Sequence, residues 1–137
     1  MIYTVTLNPS IDYIVHAETI EMGAVNRMSA DLKLPGGKGI NVSRILKRLE
    51  VPAIATGFLG GFTGRFIDDW LEAEGVPTDF TPIEADTRIN IKLKAEVETE
   101  INGLGPSVSS LEIARLKQSL QSLNANDIVV LAGSVLP

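Results

Sequence analysis

The chain has 137 residues, 45% of them apolar, with 12 Lys or Arg, 17 Asp or Glu and a net charge of −5. That describes one globular domain with a real core, and the acidic balance excludes nucleic acid and anionic membrane surfaces as general partners, though not a phosphorylated small molecule, which needs only a few local cations. The absence of cysteine excludes a disulfide framework and a thiolate metal site, and no apolar run approaches the ~18 residues of a membrane span.

Residues 2–7 are β-branched and apolar and end at Asn8-Pro9-Ser10, which predicts a central strand followed by a turn. A strand start rather than a leader, with no cysteine, makes the cytoplasm the expected location. Ligands of open α/β sheets bind beyond the carboxyl ends of strands, and Asp12 stands there. An ionised carboxylate only accepts, so Asp12 suits two sugar hydroxyls; capping the turn is the plainer role and fits equally well. His16, the single histidine, has no specified partners for a triad or a metal and reads as structural or surface.

Residues 27–34 alternate strictly, with Met28, Ala30, Leu32 and Leu34 opposite Arg27, Ser29, Asp31 and Lys33. Residues 87–98 do so for longer, with Ile89, Ile91 and Leu93 opposite Arg88, Asn90, Lys92 and Lys94. Half-exposed strands suit either plain antiparallel edges or a small separate sheet with one wet face. The second arrangement predicts a β lid made of residues 11–34 and 87–101, on an α/β body of residues 1–10, 35–86 and 102–137.

Residues 34–43 hold Gly36, Gly37 and Gly39 within four positions, and the stripe Val42, Ile45, Leu46, Leu49 predicts a helix directly after them. Glycine lets a ligand approach the backbone, and a helix start offers free N–H groups to polar or anionic oxygens. A tight loop before an ordinary surface helix is the alternative. Lys38 is not spaced for a Walker loop, and Val42 stands where a dinucleotide loop needs its third glycine.

Residues 53–59 predict a buried strand closed by Gly60-Gly61. The next helix turns Phe66, Ile67, Trp70 and Leu71 inward and stops at Gly75. Pro77 and Pro82 push residues 76–83 to a sheet edge. Ser109 or Ser110 caps a last helix with the stripe Ile113, Leu116, Leu120, Leu123. Residues 128–132 form a continuous apolar run, the pattern of a strand covered on both faces, and end at Gly133-Ser134.

Five pieces occur in a telling order: Thr-Leu-Asn-Pro-Ser-Ile-Asp at 6–12, Gly-Gly-Lys-Gly-Ile-Asn-Val-Ser at 36–43, Gly-Phe-Leu-Gly-Gly at 57–61, Thr-Arg-Ile-Asn-Ile-Lys at 87–92 and Ala-Gly-Ser-Val-Leu-Pro at 132–137. Together they resemble the ribokinase/PfkB family of carbohydrate kinases over the whole chain, most of all its 1-phosphofructokinase branch, with tagatose-6-phosphate kinases next. The resemblance implies a ribokinase-like three-layer α/β/α fold with a small β-sheet lid. It implies phosphoryl transfer from MgATP to a sugar phosphate, with fructose 1-phosphate giving fructose 1,6-bisphosphate. By position, Asp12 would hold sugar hydroxyls, and Gly36, Gly37 and Asn41 would contact the sugar. Ser134 would lie beside it. Arg27, Lys38 and Arg88 would take the phosphate it already carries, with Asn90 on the same strand face as Arg88. Lys47, Arg48, Lys92 and Lys94 read as a solvated face.

The resemblance also implies what is missing. The family's Gly-Ala-Gly-Asp motif, which carries the catalytic base, has no counterpart here, and no Asn is followed three residues later by Glu, as its magnesium motif requires. The fold is therefore expected to be incomplete on its C-terminal side, with no catalytic or metal-binding residue. ATP and Mg²⁺ belong to the full-length enzyme and are not expected to bind tightly here. The expected partners are a small sugar phosphate, the missing C-terminal half, and a second copy through the lid or an exposed sheet edge. A tagatose-6-phosphate kinase or another carbohydrate or nucleoside kinase of the same fold, and a non-catalytic sugar-phosphate-binding module, are the alternatives.

Overall fold

The computed structural model describes residues 1–136; Pro137, the last residue of the 132–137 motif, lies outside the described residues. The apolar, β-branched segment Ile2–Thr6 forms β1, flanked in parallel by β4 (Ala53–Gly60) and β8 (Ile128–Leu131). β5 (Thr78–Ile83) pairs parallel with β4, giving the order β5-β4-β1-β8. Pro82 thus sits on an edge strand, where its missing N–H need cost no ladder bond.

Parallel neighbours need crossovers. Here they run through α1 (Lys38–Arg48), α2 (Gly61–Ala73) and α3 (Ser110–Gln121). Ile40 of α1 and Ile67 and Leu71 of α2 pack with Ala55 and Leu59 of β4, whereas Leu116 of α3 packs with Phe58 and Ile83. Ala55 and Leu59 alternate with Phe58 along one strand, so the two clusters lie on opposite faces of the sheet. The result is three layers, α/β/α.

The helix ends follow local chemistry. Gly75, at φ 73°, supplies the left-handed turn that ends α2. Ser109 and Glu112 form a reciprocal capping box at the start of α3. Arg44 of α1 donates two hydrogen bonds, at 2.6 and 2.7 Å, to the Glu74 carboxylate at the end of α2. The guanidinium holds Glu74 below the usual carboxylate range. This tie therefore stabilises the fold above the ordinary glutamate pKa and is lost as acid protonates Glu74.

A second sheet, of order β3-β2-β6-β7, is built from β2 (Ser10–His16), β3 (Ala30–Gly36), β6 (Arg88–Lys94) and β7 (Glu98–Asn102). β2–β3 and β6–β7 are antiparallel pairs, and the parallel pairing of β2 with β6 joins them.

Four expectations change. β3 starts at Ala30 and not at Arg27, and it runs on through Pro35 and Gly36; as an edge strand it tolerates the proline. The long alternation of 87–98 breaks at 95–97, where the chain reverses without a Gly, Asn or Pro to mark the turn. On α1 the face against the sheet is Gly39, Ile40 and Ser43, with the Ser43 and Thr4 hydroxyls hydrogen-bonded to each other. The apolar stripe is only partly covered, with Val42 and Leu46 half-buried and Ile45 54% and Leu49 65% exposed. The run at 128–132, read as a strand covered on both faces in a whole domain and as an exposed apolar edge where its neighbours are missing, forms an open edge strand with Leu131 68% exposed. Ile113 of the α3 stripe is exposed as well. No helix among the described residues is long and apolar enough to cross a membrane.

Ile40→Ala is expected to cost about 2–5 kcal/mol in urea unfolding, and Ile45→Ala no more than about 0.5 kcal/mol. Equal losses would put the outer stripe of α1 in the core and contradict this packing.

Candidate functional site

β1 is the strand at which the order of the main sheet reverses, with β4 added on one side and β8 on the other. Such a switch point leaves a crevice beyond the strand's carboxyl end. The cleft found there measures about 400 Å³. β1 and its continuation contribute Thr6 and Asn8, and β2 contributes Ser10 and Asp12. The start of α1 contributes Gly37, Lys38 and Asn41. β6 and β7 contribute Arg88, Asn90, Lys92 and Asn102, and the turn after β8 contributes Gly133 and Ser134.

Close approach explains the glycines. Gly37 has φ 122° and precedes α1, whose first N–H groups have no intrahelical partner. A methyl at Gly39 would lie 2.3 Å from Thr6 Oγ1. A methyl at Gly36 would lie 2.6 Å from Asp12 Cγ and from each carboxylate oxygen. The α1 start can thus sit directly on β1, and the Asp12 carboxylate directly on the β3 backbone.

Asp12 is held in place by its neighbours. Ser10 Oγ donates to Asp12 Oδ1 at 2.8 Å, and Asn90 Nδ2 donates to the same oxygen at 3.4 Å. On the other side Lys92 Nζ lies 3.7 Å from Asp12 Oδ2. Asn90 Oδ1 in turn accepts the Gly103 N–H at 3.1 Å. Arg88 is a clamp: its Nη1 donates to the Gly103 carbonyl and its Nη2 to the Asn8 carbonyl, both at 3.0 Å. Asn8 Nδ2 donates to the Leu104 carbonyl at 3.0 Å. The segment following β7 is therefore fastened to the end of β1.

Three residues that line this cleft each carry one buried polar atom without a protein partner: Thr6 Oγ1, Asn8 Oδ1 and Arg88 Nε. Thr6 is 2% and Asn8 4% exposed. Buried polar groups are normally satisfied, and an orphan costs about 1–3 kcal/mol. Among the described residues only Asp68 Oδ1 shares that condition, beside a smaller cleft at the start of α2. A larger cleft of about 670 Å³ at the opposite end of the strands, lined mainly by apolar residues such as Val51, Ile54 and Val76, holds none of them. Three cations, Lys38, Arg88 and Lys92, face a single carboxylate, Asp12, so the site is locally positive within an acidic chain.

Residues 5–137 match the pfkB family carbohydrate kinases. The chain belongs to that family. This pfkB-family chain is 57% identical to the 1-phosphofructokinase of Bacillus subtilis over 98% of its own length and 45% of the relative's. It is 37% identical to the tagatose-6-phosphate kinase of Staphylococcus epidermidis over 98% of itself and 44% of that protein. Its fold superposes on phosphofructokinase-2 from Escherichia coli in complex with fructose-6-phosphate with a TM-score of 0.92 at 30% identity, covering 99% of this chain and 46% of that one. The chain spans a little under half the length of the curated relatives it matches.

Of the residues singled out from this pfkB-family sequence, the cleft collects Asp12, Gly37, Lys38, Asn41, Arg88, Asn90 and Ser134, and Gly36 backs onto the Asp12 carboxylate. Arg27 is not among them; it is exposed on the segment before β3, outside the strand whose polar face was expected to carry it. Lys92 leaves the solvated face assigned to it and enters the cleft. Thr6, Asn8, Ser10 and Asn102 were not singled out. Thr6, Asn8 and Ser10 lie within the motif at 6–12 that ends in Asp12, which is the signal that could have found them; Asn102 is brought in only by its pairing with Asn90.

Gly36→Ala is expected to push the Asp12 carboxylate off Ser10 and Asn90, at a cost of about 1–3 kcal/mol. Urea unfolding, with amide shifts of Ser10 and Asn90 read by NMR, checks this; unchanged shifts would contradict the packing of Asp12 on β3.

Proposed function

We propose that this chain is the sugar-holding part of an ATP-dependent kinase for a ketohexose phosphate, the longer protein converting fructose 1-phosphate to fructose 1,6-bisphosphate. The observation that carries this reading is the gathering of Asp12, Asn41, Lys38, Arg88 and Lys92 around one cleft beside the free amides of the α1 start. The Asp12 carboxylate suits hydroxyl donors, and the amides and cations suit phosphate oxygens. In this reading Asp12 accepts sugar hydroxyls, and Asn41 and the backbone at Gly36 and Gly37 bear on the sugar. Lys38 and Arg88 supply positive charge, while Asn90 fixes Asp12 and Ser134 closes the far side. Arg27 is left out because it stands outside the cleft. The names of the relatives support the substrate class, and the tagatose-6-phosphate kinase among them makes tagatose 6-phosphate the second ligand to test.

Magnesium does not fit these residues. The carboxylate of the cleft, Asp12, is already engaged by Ser10, Asn90 and Lys92. Among the described residues no cluster of three or more His, Cys, Asp or Glu is placed to hold a metal. In this reading the chain binds and orients the acceptor sugar, and the base and nucleotide site belong to the remainder of the longer protein.

Calorimetry of the purified chain is expected to detect fructose 1-phosphate, with Asp12→Asn weakening it roughly tenfold or more. Tagatose 6-phosphate, fructose 6-phosphate and fructose complete the comparison. With MgATP and fructose 1-phosphate the chain alone is expected to release no ADP, and a measurable kinase rate would overturn this assignment.

The same reading gives the exposed apolar surfaces a use: the open edge of β8 and the outer stripe of α1 would be covered by the rest of the longer protein. Uncovered, an apolar strand edge invites pairing between copies. Sedimentation is expected to show self-association of this chain that Leu131→Lys reduces; a monodisperse monomer would contradict it.

A further inference from the structure

Lys92 lies on β6, one residue pair further out along the second sheet than Asn90, with Glu100 of β7 opposite it and Ile14 of β2 on its other side. Glu100 is the cross-strand carboxylate within easiest reach, and the next lysine along, Lys94, takes such a partner, meeting Glu98 at 2.7 Å. Lys92 does otherwise. Its ammonium turns into the cleft and stops 3.7 Å from Asp12 Oδ2. That separation is an ion pair without a formed hydrogen bond. Asp12 has its other oxygen fixed by Ser10 and Asn90, so Oδ2 is the one left to meet a ligand, and Lys92 stands in front of it.

The remaining cations differ. Arg88 has both terminal nitrogens engaged by backbone carbonyls, so its guanidinium cannot leave without releasing the segment after β7. Lys92 has a four-carbon stem and no hydrogen bond to hold it among the described residues, and it can swing.

We infer that Lys92 is the specificity-determining residue for the phosphate group of the sugar. This rests on the functional reading above and deepens it. A phosphorylated sugar draws the ammonium off Asp12 onto a phosphate oxygen, and that move frees Oδ2 to accept a sugar hydroxyl. An unphosphorylated sugar must compete with the ammonium for the same carboxylate oxygen. One lysine thus rewards the phosphate and penalises its absence, which is discrimination by attraction and repulsion together.

The test compares fructose 1-phosphate with fructose by calorimetry on the full 137-residue chain and on Lys92→Met and Lys92→Arg. The preference for the phosphorylated sugar is expected to fall at least about tenfold in Lys92→Met, the scale of one lost charge-assisted hydrogen bond, and to be largely restored by Lys92→Arg. An unchanged preference in Lys92→Met, or equal weakening of both ligands, would overturn the proposal and reduce Lys92 to a prop for Asp12. A measurement on the unaltered chain covers the case in which Lys92→Met does not fold. The Lys92 side-chain NMR signal is expected to move with fructose 1-phosphate and not with fructose. If Asn41 and Asp12 amides respond to fructose 1-phosphate while the Lys92 signal stays still, the proposal falls and the sugar-phosphate reading stands. If nothing responds to any sugar phosphate, both fall.

Discussion

The parallel ladder between β2 and β6 is the contact on which the site depends. It sets Ser10 opposite Arg88 and Asp12 opposite Asn90, joining two excursions of the chain that are separated by some eighty residues. Each excursion alone is a two-stranded hairpin, marginal in water. Paired, they form a four-stranded sheet, and Ile11 on its inner face joins the core beneath, with Ile40 of α1 and Leu71 of α2. The register decides everything downstream, because a slip of one residue would turn Asp12, Asn90 and Lys92 to the opposite face.

Fastened to that ladder is a polar network with little slack. Gly103 is read from both sides, its N–H by Asn90 and its carbonyl by Arg88. Asn8 receives Arg88 on its backbone and reaches Leu104 with its side chain. These bonds use up much of what an arginine and two asparagines can offer. The atoms left over, Thr6 Oγ1, Asn8 Oδ1 and Arg88 Nε, belong to residues that line one cleft. A network tied in this way holds the residues that line the cleft in place before anything enters it.

Apolar surface is distributed less evenly. The faces of β4 are covered by helices from both sides, whereas β8 and the outer stripe of α1 are bare. The α1 stripe is regular, yet the face turned to the sheet is Ile40 between two small residues, Gly39 against β1 and Ser43 against Thr4. Small residues win because they let the helix start approach the end of β1 closely enough to place Lys38 and Asn41 in the cleft.

Hydrophobic periodicity and turn chemistry carried the main body of the fold. They gave β1, β4, the edge position of β5, α2 with its stop at Gly75, and a second group of half-exposed strands. They failed where the deciding partner was distant in sequence. Nothing in Ala95-Glu96-Val97 announces a reversal; β7 turns back because β6 offers it an edge. Arg27 and Lys92 each sit on a polar face by alternation, and only the true start of β3 and the β2–β6 register separate the one outside the cleft from the one inside it.

The sequence by itself determined the alternating α/β layers, the glycine-framed start of α1 and the presence of Asp12, Asn41, Arg88 and Asn90, because these follow from local residue chemistry and short motifs. Tertiary structure alone decided which face of α1 is buried, which cation meets Asp12 and which polar atoms are left without partners. Those outcomes depend on contacts between segments far apart along the chain, and no local pattern encodes the register that brings such segments together.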